Sequence, residues 1–144
     1  MSGLLVVRCG RERLGLPVDD VLEVLPIEGL LLAPTVCPAV RGLLPAADRL
    51  VPLAHLRALL DARAVPEERG EAAVLIRQGA RNVALEVDEA VDLLADVVVA
   101  APAGWDVPWA MGVAHVGDAL LPVVDLEVLV ERMLAGRTES HDDR

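Results

Sequence analysis

Residues 41–60 read RGLLPAADRLVPLAHLRALL, and residues 111–130 read MGVAHVGDALLPVVDLEVLV. They align without a gap at an offset of 70, placing Gly42 on Gly112, Asp48 on Asp118, Leu50 on Leu120, Pro52 on Pro122, Leu56 on Leu126 and Leu59 on Leu129. A second pair recurs at an offset of 69: LGLPVDDVLEVL (14–25) resembles VALEVDEAVDLL (83–94), through Leu16/Leu85, Val18/Val87, Asp19/Asp88 and Leu25/Leu94. Two blocks repeated in the same order divide the chain into similar halves of about 70 residues. Twinned halves predict two small lobes with a cleft between them, and clefts receive partners.

Composition narrows the fold. The chain has 144 residues, enough for one compact unit with a sizeable core. It has no Phe and no Tyr, so Val and Leu must fill that core. Branching at Cβ suits a pleated surface, which favours strands. The net charge is −10, and it is uneven: residues 1–70 carry 9 acids and 8 Arg, residues 71–144 carry 14 acids and 5 Arg. Such a surface repels phosphate backbones and argues against nucleic acid as a partner. Cys9 and Cys37 stand far apart with no CxxC, which suggests neither a zinc site nor a redox motif; both are expected to be buried. The start of the chain lacks a secretory pattern, and no apolar run approaches a membrane span, so a soluble cytoplasmic protein without membrane insertion is expected.

Local signals give the element order. LLVVRC (4–9) and residues 13–16 pair as a hairpin across Gly10-Arg11. Val18–Leu22 suits a helical turn, and Glu23–Ile27 returns to strand. A short turn or helix is expected to start at Thr35. Gly42–Leu44 and Leu50–Leu53 are short strands joined by Pro45-Ala46-Ala47-Asp48, with Pro52 marking an edge strand or a strand end. Ala54–Ala62 has helical spacing. Residues 62–71 read as a connector between a first lobe (1–61) and a second (72–134). In the second, Ala73–Arg77 pairs with Asn82–Val87, and Val91–Val99 is extended. Met111–Val116 pairs with Ala119–Val123 across Gly117-Asp118, and Leu126–Leu134 is a helix. Residues 135–144 read as a disordered polar tail. The expected architecture is mostly β: two small barrels with short helices.

No catalytic constellation emerges. The only serines, Ser2 and Ser140, lie near the ends of the sequence, which argues against a Ser-His-Asp triad. The carboxylate pairs Asp19/Asp20 and Asp88/Glu89 recur at equivalent points of both halves, so a turn role explains them better than acid–base work. Glu86, Asp88, Glu89, Asp92 and Asp96 lack the spacing of a calcium loop and read as a solvated face. Trp105 and Trp109, between prolines in APAGWDVPW (101–109), are either an interaction anchor or a plug for the open end of the second barrel.

In the stretches RERLGLPVDDVLEVLPI, APTVCPAVRGLL followed by LVPLAHL, RNVALEVDEAVDLL and LLPVVDLEVLV, the chain resembles the CheW-like coupling domain of bacterial chemotaxis systems, over about residues 4–134. The resemblance implies two five-stranded β-barrels sharing a hydrophobic core, no enzymatic activity and no cofactor. It implies an adaptor that bridges the cytoplasmic tip of a methyl-accepting chemoreceptor to a CheA-type histidine kinase, whose regulatory domain is itself CheW-like. On this chain the positions matching the family's partner-facing surface are Val21, Glu23, Val40, Arg41 and Gly42. Val21 would supply apolar contact, Arg41 and Glu23 a polar rim, and Gly42 close backbone approach. The sequence departs from the family where Asn-Leu-Arg-Gly is usual: Ala47 replaces the Arg, Asp48 the Gly, and His55 stands for an Asp. Standard coupling is thereby in question. The rival expectation is a small β-barrel enzyme or ligand-binding protein using the inter-lobe cleft, with Asp48, His55 or His115 as its polar groups.

Overall fold

The computed structural model describes residues 2–32, 37–61 and 70–142. The expected turn at Thr35 and most of the connector 62–71 lie outside the described residues. The first half forms β1 (Ser2–Cys9), β2 (Glu12–Pro17), a 3-10 turn (Val18–Asp20), β3 (Val21–Pro26), β4 (Val40–Ala46), β5 (Arg49–His55) and α1 (Leu56–Leu60). The second forms β6 (Ala72–Gln78), β7 (Arg81–Val87), β8 (Glu89–Val97), β9 (Val99–Ala100), β10 (Ala110–Val116), β11 (Ala119–Val124) and α2 (Leu126–Asp142).

The strands make two sheets, in the orders β8-β1-β2-β11-β10-β9 and β3-β6-β7-β5-β4. In the first, β8 and β9 lie at opposite margins, yet only Val98 separates them in the chain. The sheet must therefore curl shut, and Asp96 with φ +55 helps bend it. Counting β8 and β9 as one bent strand, this is a five-stranded barrel. The second sheet closes through Leu31, which follows β3 and bonds reciprocally with Leu43 of β4 at 2.8 Å.

The lobes are not consecutive, and the expected division into 1–61 and 72–134 is corrected. The middle barrel takes its strands from residues 21–87; the terminal barrel takes β1 and β2 from the chain start and β8–β11 from its end. Each half thus lends its first hairpin to the barrel completed by the other. The exchange obeys the repeat. Val24 pairs with Val74 where its counterpart Leu93 pairs with Leu5. The parallel pair Leu53–Ala84 matches Val123–Gly15. Even the bulges coincide, between Val40 and Gly42 and between Ala110 and Gly112.

Exchanged hairpins are buried on both faces, so β1 and β6 read as continuous apolar runs. Leu4 and Val6 fill the terminal barrel, and Ala73 and Leu75 fill the middle one. The alternate residues Leu5, Val7, Val74 and Ile76 enter a central core between the barrels, joined by Leu56 and Leu59 of α1 and Leu126 and Leu129 of α2. Burying each such Leu contributes roughly 1.5–3 kcal/mol. Cys9 and Cys37 are both buried in this core, as expected.

Three local expectations need correction. Pro52 lies in β5, an interior strand; registered pairing with β7 begins only at Leu53, so the missing N–H falls before that ladder. Helix α1 begins at Leu56, two residues after the apolar spacing starts, because His55 caps it. Helix α2 continues beyond Leu134 to Asp142, where a disordered tail was expected. No Pro interrupts this segment, and extending an existing helix costs far less than nucleating one.

Candidate protein-docking site

The five residues singled out from the resemblance lie on β3 and β4, at the two margins of the middle barrel's strand order. Val21 and Val40 are half-buried against the central core, where the barrels meet. Glu23 points outward from β3 opposite Leu75 and is exposed. Its chain neighbours Leu22 and Val24, and Leu31 and Leu32 in the closing segment, are exposed apolar side chains. The repeat carries Val24 onto Leu93 and Leu50 onto Leu120, and all four are exposed. Apolar rows on outer strand faces, rimmed by polar groups, suit contact with other proteins.

Arg41 and Gly42 have work within the fold. Gly42 has φ +154, and a Cβ there would collide with the Leu31 carbonyl oxygen. Only glycine lets the closing segment cross β4. Its counterpart Gly112, at φ +157, does the same against Ala100. The Arg41 guanidinium reaches Glu86 with two bonds, Nε to Oε1 at 2.9 Å and Nη2 to Oε2 at 3.2 Å. This fork-on-fork geometry is the strongest form of the pair. Arg41 thus does not meet Glu23 across the rim.

Glu86 corrects the reading of the acid run as a solvated face: it is fully buried. In VALEV, alternation sends Val83, Leu85 and Val87 into the central core, and Glu86 shares the opposite face with Ala84. A charge buried there needs partners. It has them: both bonds from Arg41, and the Gly70 N–H at 2.6 Å. The second buried polar group is His55, whose Nδ1 accepts from the Ala58 N–H at 3.3 Å and caps α1. Its Nε2 lies 4.0 Å from Glu86 Oε2, too far for a hydrogen bond. Burial holds the imidazole below its ordinary value, with the nearby Glu86 opposing. Burial also pushes the Cys9 thiol up to about 12, helped by Asp88, so this thiol is inert at neutral pH.

The repeat could have exposed His55 in the sequence. It aligns with Asp125, which caps α2 by accepting from the Glu127 and Val128 N–H groups at 3.1 and 3.4 Å. A strand-to-helix junction demands an acceptor at that position in both halves. Nothing comparable pointed to Glu86.

The residues of the rival expectation do not converge. Asp48 sits exposed in the β4–β5 turn, His55 is buried at the β5–α1 junction, and His115 is exposed on β10 in the other barrel. No group of three or more His, Cys, Asp or Glu among the described residues is placed to hold a metal ion. Among the described residues no helix is long and apolar enough to cross a membrane. The tryptophans follow neither expectation fully: Trp109 packs, half-buried, on the central core and not in the terminal barrel's interior. Trp105 donates from Nε1 to the Ala110 carbonyl at 3.0 Å.

Comparison with known proteins agrees with this geometry. The model of the CheW-like domain family matches residues 3–133. The scaffolding protein TtCheW from Thermoanaerobacter tengcongensis superimposes with a TM-score of 0.73 at 16% identity, over 89% of this chain and 86% of that one. A search of curated proteins returned no match.

Proposed function

The chain belongs to the CheW-like domain family, and from that premise we propose that it is a non-enzymatic cytoplasmic adaptor joining a chemoreceptor to a histidine kinase. The observation that carries this reading is the whole-chain family match combined with exposed apolar strands on both barrels. The partners are the CheW-like regulatory domain of a CheA-type kinase and the cytoplasmic tip of a methyl-accepting receptor.

The contact surface runs along β3 and β4, where Val21 and Val40 offer apolar area at the seam between barrels and Glu23 a charge beside it. Arg41 and Gly42 shape that surface from beneath: Arg41 by holding Glu86, Gly42 by admitting the segment that closes the barrel. The familial Arg-Gly is here Ala47-Asp48, and Glu23 has no ion-pair partner within 4.0 Å among the described residues. Glu23 is therefore available to a cationic group of the partner.

Mixing the purified chain with the regulatory domain of a kinase from the same genome, and separately with a receptor's signalling tip, tests the proposal by calorimetry. Saturable association with both is expected. Association with none of the encoded kinases and receptors overturns it. Val21→Asp should weaken binding more than Glu23→Gln, because a carboxylate would be pressed into the apolar seam.

A further inference from the structure

The two halves treat equivalent arginines differently. Arg8 of β1 and Arg77 of β6 are counterparts, each two residues before the turn of an exchanged hairpin, facing Arg13 and Asn82. Arg8 is neutralised by its own chain: Nη1 lies 3.4 Å from Asp88 Oδ2, and Nε lies 3.2 Å from Glu89 Oε1. It meets them because β8 begins at Glu89, directly opposite Arg8. The counterparts of these acids are Asp19 and Asp20. They coil into the 3-10 turn, and pairing of β3 with β6 begins only at Val21–Ile76. Arg77 consequently has no carboxylate within 4.0 Å among the described residues, and neither has Arg49.

Both arginines line one open cleft of about 290 Å³ at the end of the middle barrel. Leu22, Ala46, Val51 and Leu75 also line it, between the β4–β5 and β6–β7 turns, but Ala46, Val51 and Leu75 are buried, so the surface it offers is mostly polar. Leu22 is half exposed there. Two exposed cations in one cleft stand out on a chain of net charge −10. A like-signed protein surface elsewhere would be steered away from the acids and towards this mouth.

We infer that this cleft receives an acidic segment of a partner protein, presenting two carboxylates. The chain's own Asp88-Glu89, placed on Arg8, displays the chemistry that Arg77 lacks. Arg77 takes one carboxylate and Arg49 the second, with the half-exposed Leu22 beside them at the mouth. This rests on the adaptor reading for the source of the segment, a docked signalling protein, and adds what that protein must offer.

The test uses the full chain with two probes. One is a blocked synthetic peptide, DEAVDL, the stretch (88–93) that serves Arg8; the other is the kinase regulatory domain. In heteronuclear spectra the peptide should shift the Arg49 and Arg77 side-chain signals and the Asn82 amide. Its amide analogue, NQAVNL, should not. R49E/R77E should abolish the shifts and weaken kinase-domain binding at least about ten-fold, with the milder R49Q/R77Q intermediate; R11E, on the terminal barrel, should change it less than about two-fold. Unchanged affinity in R49E/R77E, or a peptide that leaves the cleft signals still, overturns the inference. If the unaltered chain ignores every encoded kinase domain and receptor tip while the peptide still shifts the cleft, the cleft stands and the adaptor reading fails.

Discussion

The β4–β5–α1 corner of the middle barrel and the β10–β11–α2 corner of the terminal barrel share a backbone plan but not a chemistry. Both start with a bulge at glycine, turn through a tight hairpin and end on a capped helix. In the first, Arg41, Glu86 and His55 form a buried polar cluster. In the second, the repeat places Met111, Pro17 and Asp125 at the same points, and the only polar group left is the cap. A barrel corner of this shape therefore needs an acceptor at the helix start and a glycine at the crossing. It does not need an ion pair. The cluster is an addition that ties β4, β7 and Gly70 together in one barrel only.

The comparison breaks most sharply at Glu86. Glu86→Ala removes the acceptor of two Arg41 bonds and of the Gly70 N–H, and should cost about 3–5 kcal/mol in chemical denaturation. Met111→Ala, at the exposed counterpart of Arg41, should cost less than about 1 kcal/mol. If the cluster is dispensable, R41M/E86L, which copies the apolar corner, should recover most of that loss; a double-mutant cycle measures the coupling.

The shared requirement comes next. Gly42→Ala and Gly112→Ala should each destabilise by roughly 2–4 kcal/mol, and to similar extents, because each Cβ meets a carbonyl of the closing segment. Unequal losses in thermal melts would show that the two closures are not equivalent.

A smaller effect separates the caps by pH. His55 has a lowered folded value, so the unfolded chain binds the proton first as pH falls. Its contribution is present above about pH 6.5, the ordinary imidazole value, and is lost as pH drops through the folded value. Stability of the natural chain should decline through that window, and His55→Asn should flatten the decline while keeping a capping acceptor.

The smallest concerns the turns. Ala47 and Asp48 both have positive φ, +50 and +66, whereas the equivalent turn opens with Gly117 at +61. Ala47→Gly should relieve the strain and stabilise by about 0.5–1 kcal/mol, seen as a slightly higher Tm.

Much of the fold was legible because its signals are local. Turn chemistry at Gly10-Arg11 and Gly117-Asp118, alternation in β4, β5, β10 and β11, and helical spacing after His55 and Asp125 depend on neighbours within a few residues. The candidate site was legible only in part. Val21 and Val40 are half-buried and Glu23 is exposed, whereas Arg41 turns inward to an acid 45 residues away. Glu86 sits in a run of acids that composition assigns to water, and only the meeting of β4, β7 and the chain at Gly70 makes a dry place for its charge.

What the sequence determined by itself is the repeat and, through it, the order of most strands and turns. What the tertiary structure alone decided is who pairs with whom. Twin hairpins present the same apolar pattern and the same ladder of N–H and C=O groups, so each half's sequence fits its own barrel and its partner's alike. The choice falls to long-range closure. Exchanging β1–β2 for β6–β7 buries both faces of those hairpins and fuses the barrels through one core, and that arrangement also leaves Arg8 answered and Arg77 open.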